Sequence, residues 1–100
     1  MMVSVTFWTL NPDLPPSKIA EVAAKLMQKG LWPMKGMKVL GWYVCPGGRG
    51  VTISESEGAT ADEQAFESYV VWTKELPGIF SSYETLPAVT AEKAIEITLK

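Results

Sequence analysis

Residues 42–56 read WYVCPGGRGVTISES, and the fold turns on what the glycines in the middle do. If they opened a helix, its N-terminal amides would cradle a phosphate. A P-loop needs GxxxxGK[ST] between a strand and a helix, and a dinucleotide fingerprint also leads into a helix. Here PGGRG leads into VTISES, where β-branched and polar residues alternate, and no Lys-Ser/Thr pair follows. The glycines therefore supply the positive φ angles of a hairpin turn of about five residues. Arg49 sits near its tip, placed to meet an anion or a partner carboxylate. Pairing residues 37–45 with 51–56 so that Cys45 faces Val51 sets Tyr43 opposite Ile53 and Gly41 opposite Glu55. That register gathers Val39, Tyr43, Cys45, Val51 and Ile53 on one face. Leu40, Trp42, Val44, Thr52 and Ser54 take the other. It also leaves space beside the Glu55 carboxylate.

Working outward, residues 3–9 alternate, with Val3, Val5 and Phe7 on one face and Ser4, Thr6 and Trp8 on the other, which predicts a first strand. In SKIAEVAAKLMQKG, Ile19, Val22, Ala23, Leu26 and Met27 recur at helical spacing. Glu21 and Lys25 form an i,i+4 pair, and Gly30 closes the helix. Trp32 precedes Pro33 in a loop, as a lid on the core or as an interface anchor. Thr60 and Glu63 make a capping box for a second helix. Its stripe is Phe66, Tyr69, Val70 and Thr73, flanked by Ala65, Trp72 and Leu76, and Pro77-Gly78 ends it. Residues 79–89 form a fourth strand, at an edge because Pro87 would break a central ladder. Thr90 caps a short terminal helix.

The order β-α-β-β-α-β is the ferredoxin-like split βαβ pattern of an α+β fold, in one domain spanning residues 1–100. The crossover rule gives a four-stranded antiparallel sheet in spatial order 4-1-3-2, with two helices on one face. The other face is bare in a monomer, and Trp8, Trp42 and Leu40 are the apolar candidates for it. A second copy of the chain is the expected cover, hence a homodimer.

Composition narrows the chemistry. The net charge is −2 and the nine basic residues are scattered, so nucleic acid binding lacks its electrostatic footprint. No apolar run is long enough for a membrane span, and MMVSVTFWTL has no basic leader or cleavage site. The lone Cys45 excludes an internal disulfide and fits the cytoplasm; it reads as a buried thiol rather than a nucleophile. The absence of histidine removes Ser-His-Asp and Cys-His catalysis and histidine-ligated zinc or haem. Glu55 and Glu57 are not spaced as a metal cage, so no metal and no cofactor are expected.

The sequence resembles the uncharacterised domain of unknown function 3303 group, within the dimeric α/β-barrel class. The resemblance is carried by VTFWTL at residues 5–10, LGWYVCPGGRGVTISES at 40–56, the second helix with Trp72, and the final strand with Pro87-Ala88-Val89. It implies two sheets packed face to face across a dimer axis. The wider class includes cofactor-free monooxygenases, lactone isomerases and haem proteins, and the lack of histidine departs from the last of these.

Three functions remain open. The aromatic set Trp8, Trp42, Tyr69, Trp72 and Tyr83 can line an apolar cavity between sheet and helices, as in a homodimeric protein that binds a small apolar or aromatic molecule. A cofactor-free monooxygenase- or isomerase-like enzyme would need a base and an oxyanion donor, for which Glu55, with Tyr83 or Arg49, are the candidates. The third is a structural or interaction module with no ligand.

Overall fold

A computed structural model describes residues 2–58 and 60–100 of the chain. The elements are β1 (Met2–Leu10), α1 (Pro16–Gln28), β2 (Met37–Val44), β3 (Arg49–Ser56), α2 (Ala61–Glu75), β4 (Phe80–Ala88) and α3 (Ala91–Thr98). The strands form one antiparallel sheet in the order β2-β3-β1-β4, the arrangement expected of the split βαβ pattern.

The glycine-rich segment is a hairpin. The Cys45 amide donates to the Arg49 carbonyl at 2.7 Å, and the Gly48 amide donates back to the Cys45 carbonyl at 3.0 Å. Gly47 and Gly48 hold φ values of +97° and +84°, which side-chain-bearing residues rarely adopt. The Gly48 carbonyl also accepts from the Leu10 amide at 2.9 Å, so the tip is tied to the end of β1. The register differs from the expected one by two residues near the turn: Tyr43 pairs with Val51 and Gly41 with Ile53. A shift of two preserves the faces. Leu40 is then left unpaired as a bulge, and beyond it Val39 pairs with Ser54 and Lys38 with Glu55. The extra residue reverses the alternation. Val39 therefore joins the helix-covered side, where it packs on the core, rather than the side of Tyr43.

The sheet carries its polar residues inward. On the helix side, one row across the four strands is Val44, Gly50, Trp8 and Tyr83. The next is Trp42, Thr52, Thr6 and Thr85, and the third is Val39, Ser54, Ser4 and Pro87. The outer side carries Tyr43, Val51 and Phe7, then Ile53, Val5 and Leu86. Trp8 and Trp42 thus lie beneath the helices and not on the bare face. The bare face is largely apolar, with Phe7 49% and Leu86 46% exposed. Alternation says which residues share a face, but not which face the helices cover.

Helix α1 has proline at its first position, where a missing amide proton costs nothing. It ends in a Schellman motif: Gly30, at φ +67°, donates to Met27, and Leu31 donates to Leu26. Val22 and Leu26 turn inward onto Trp32, Trp72 and Ile79 to make the core, while Met27 is half exposed. Lys25 pairs with Glu75 of α2. Thr60 caps α2 by accepting from the Glu63 amide at 3.2 Å. The inner face of α2 is Gln64, Ser68 and Trp72, spaced i, i+4, i+8, and all three are buried. Phe66, expected on the inner stripe, is 70% exposed. The polar floor of the sheet explains the rotation: Gln64 and Ser68 find hydrogen-bond partners there that Phe66 cannot use. Thr90 caps α3, every residue of which is exposed, including Ile95 and Ile97.

Candidate functional site

Between the sheet, α1 and α2 lies a cavity of about 640 Å³, within the usual range for small-molecule sites. Its aromatic walls are Trp8, Trp32, Trp42, Trp72, Phe80 and Tyr83. Trp32, Trp42 and Trp72 form a triangle with ring centroids 4.7, 5.5 and 6.1 Å apart. Phe80 links this cluster to Tyr83, whose ring centroid is 5.0 Å away. The rim reaches Pro12, Leu14, Gly47 and Gly48, between the loop after β1 and the hairpin tip.

Hydroxyls and one amide form the floor. Trp8 donates its indole proton to Thr52 at 2.9 Å, and Trp32 donates to Ser68 at 3.0 Å. Ser4 and Ser54 are 3.3 Å apart, and Ser54 donates to the Gln64 side-chain carbonyl at 3.1 Å. Thr6 and Thr85 share a 2.8 Å bond. The Tyr83 hydroxyl donates to the Ala65 carbonyl at a long 3.4 Å. Burial pushes its pKa above the ordinary tyrosine value, and the nearby Ser68, Thr6 and Thr85 hydroxyls temper the rise. Tyr83 is thus a neutral phenol, able to donate, at physiological pH. No Asp, Glu, Lys or Arg lines the cavity among the described residues. Gly50 makes the floor possible beneath Trp8, because a Cβ there would fall 2.2 Å from the indole.

The structure brings Trp8, Trp42, Trp72 and Tyr83 to this one cavity. Tyr69 stands behind the wall, edge-on to Tyr83 at 5.1 Å and partly exposed. Glu55 lies in the outer row, paired with Val3 and Lys38, and does not reach the cavity. The glycine expected beside it faces Ile53. Arg49 is exposed at the base of the hairpin and borders a second depression with Phe7, Cys45 and Glu84. Tyr83 also borders that depression, so Tyr83 and Arg49 share it while Glu55 borders neither space, and the three are not assembled together. Cys45, expected buried, is a free and exposed thiol.

Trp32 is 3% exposed and belongs to the core, which decides between the two roles open to it. Its peptide bond to Pro33 is cis. The inward roles of Thr6, Thr52, Gln64 and Ser68 were missed because each reads as a solvent-facing polar residue. The available signal was Trp8, which shares a face with Ser4 and Thr6 by simple alternation. No helix among the described residues is long and apolar enough to cross a membrane.

No family model matches the chain, and no curated protein does. Solved structures do. A "putative antibiotic biosynthesis monooxygenase" from Nitrosomonas europaea superposes with a TM-score of 0.59 at 11% identity, over 91% of this chain and 99% of that one. A dimeric ferredoxin-like protein of unknown function from Thermobifida fusca gives 0.59 at 7% identity, over 89% and 90%. An uncharacterised NIPSNAP domain protein from Burkholderia xenovorans gives 0.56 at 14% identity, over 91% and 95%. At such identities the likeness concerns the fold, and the fold of this chain is ferredoxin-like.

Proposed function

We propose that this chain is a homodimeric small-molecule-binding protein whose ligand is flat, largely apolar and uncharged. The observation that carries this reading is the cavity itself: about 640 Å³, walled by four indoles and floored by hydroxyls, with no charged side chain on its lining. A charged ligand would leave water for a site offering no counter-charge. A planar aromatic ligand meets rings at stacking and edge distances.

The dimer follows from the outer side of the sheet. Val5, Phe7, Val51, Ile53 and Leu86 form an apolar surface that no element of the chain covers. Ile95 and Ile97 of α3 are exposed as well. The dimeric neighbour from Thermobifida fusca supports a second copy as the cover. An exposed, unpaired Cys45 fits a reducing compartment, consistent with the cytoplasm. Membership of the domain of unknown function 3303 group is part of the same proposal.

A second reading, a cofactor-free monooxygenase-like enzyme, draws on the likeness to the Nitrosomonas protein and on the neutral Tyr83 phenol as a donor to a developing oxyanion. With Glu55 on the outer face, its substrate would have to ionise without a carboxylate base.

The test combines sedimentation with intrinsic fluorescence titration against neutral planar aromatics. A dimer at micromolar protein, lost in Phe7→Glu, together with saturable quenching, supports the proposal. A wild-type monomer overturns the dimer. Absence of quenching by every compound at high micromolar concentration overturns the pocket and favours a ligand-free module.

A further inference from the structure

The hydroxyls on the cavity floor are not equivalent, because two of them have already accepted an indole proton. Thr52 accepts from Trp8, and Ser68 accepts from Trp32. A hydroxyl has one proton to give and two lone pairs. After accepting N–H, each keeps its own proton; Ser68 has the Tyr83 phenol oxygen within reach for it, whereas Thr52 shows no protein acceptor among the hydrogen bonds of the described residues. In the Thr6–Thr85 pair one proton closes the bond between them, and the other has the same Tyr83 oxygen nearby. Tyr83 holds its proton only on the long contact to Ala65. Gln64 uses one amide proton, at 3.5 Å, on the Glu55 carbonyl.

Thr52, Thr6 and Thr85 stand side by side in one row across three strands, with Ser68 opposite them on α2. The cavity therefore offers the Thr52 proton without a protein acceptor, beside the Thr6 and Ser68 hydroxyls, whose protons a ligand oxygen would take over from the Tyr83 oxygen. An unfilled second lone pair costs little, whereas a buried donor without an acceptor costs the full desolvation of that group. A ligand that displaces water from this floor must replace the water oxygens.

We infer that the cavity selects flat neutral molecules carrying oxygen acceptors, such as a ring ketone, which dock their oxygens on the Thr52–Thr6 row and Ser68. The inference rests on the reading of this cavity as a ligand site, and it names the chemical class that site takes. Amines, which bring protons to a floor already supplied with them, are disfavoured.

Three probes of one shape test it on the full-length protein: naphthalene, 2-acetylnaphthalene, and 2-(aminomethyl)naphthalene as its ammonium. Binding is followed on the four tryptophan indole resonances and quantified by calorimetry. The ketone is expected to bind about tenfold tighter than naphthalene, as one or two net hydrogen bonds would give, and the ammonium weakest. Thr6→Val and Ser68→Ala should each cut the ketone's advantage over naphthalene, both ligands measured on the same variant, to about threefold or less. Thr6 supports no indole, so its variant remains informative if Ser68→Ala fails to fold. Equal affinity for naphthalene and the ketone, an ammonium that binds best, or an undiminished advantage in Thr6→Val would overturn the inference while leaving the pocket standing. If no probe binds at all, the pocket reading falls first and takes this inference with it.

Discussion

Gly50→Ala is the sharpest probe of the packing that shapes the cavity. A Cβ at residue 50 would lie 2.2, 2.3 and 2.7 Å from three successive atoms of the Trp8 indole, so the ring lies across the glycine. Carbon atoms pack at about 3.5 Å or more, so the ring must move by roughly 1.3 Å. It cannot slide freely. Its nitrogen is held 2.9 Å from Thr52, and Phe80 stands 6.2 Å away on centroids. The displacement breaks the bond to Thr52. Overpacking costs about 1–3 kcal/mol, and a lost hydrogen bond that cavity water replaces costs about 1 kcal/mol. Replacing a strand glycine returns about 0.5–1 kcal/mol. The net loss is about 1–3.5 kcal/mol, which lowers Tm by roughly 5–17 °C in a domain of this size. Thermal unfolding at one fixed protein concentration measures it, because dimerisation would otherwise shift the midpoint. In a Trp8→Val background the same substitution should cost little, since the clash partner is gone. A Tm within about 2 °C of wild type, or an equal loss in both backgrounds, would show that the indole does not rest on Gly50.

Two titrations follow from the ionisable groups. Tyr83 is held neutral by burial, so its folded pKa lies above its unfolded one. Its contribution to stability is fully present below about pH 10 and is lost as pH rises through the folded value. Tyr83→Phe should therefore change neutral stability by no more than about 1 kcal/mol and flatten the alkaline limb of the stability curve; an identical limb in both proteins would refute the burial argument. Glu75 shows the opposite case. Its hydrogen bond with Lys25 lowers the carboxyl below its usual value. That contribution is present above the ordinary glutamate range and is lost as pH falls through the folded value. Glu75→Gln should leave urea unfolding less dependent on pH between about pH 5 and 3, and an unchanged slope would mean the ion pair links α1 to α2 only weakly.

Much of the architecture was legible because it depends on local chemistry. PGGRG followed by an alternating strand permits a hairpin and little else. Thr60, Thr90 and Gly30 mark helix ends through side-chain oxygens or a positive φ. Strand order follows from crossover handedness. What sequence could not supply was the direction in which the sheet faces. Val3, Val5 and Phe7 make the more apolar side of β1, and the usual argument would bury that side under the helices. This fold does the reverse: the apolar side is left uncovered by the helices, and the helices cover a space. Trp8 goes inward where its indole proton meets Thr52 of β3, Trp32 likewise meets Ser68 of α2, and Trp42 packs its ring against Trp32 and Trp72. The bulge at Leu40 was invisible for a related reason: one extra residue changes no composition signal, yet it moves Val39 from one side to the other.

The inversion bears directly on how function is read from such a chain. Polar residues alternating along a strand are ordinarily assigned to water. Ser4, Thr6, Thr52 and Ser54 are each buried and each hydrogen-bonded within the protein. Four hydroxyls placed under two helices weaken the fold relative to four valines, which would give a dry core. The sheet keeps Val5, Phe7, Ile53 and Leu86 for the outside and its hydroxyls for a tryptophan-walled space. The two proposed occupants, a second copy on the outer face and a flat guest on the inner one, would therefore be physically separate. Phe7→Glu should disturb the first without touching a lining residue of the cavity, and Thr6→Val, one residue earlier on the same strand, should disturb the second without touching the outer face. If both substitutions impair both properties equally, the two faces are not independent and the assignment of the sheet's sides to different partners is wrong.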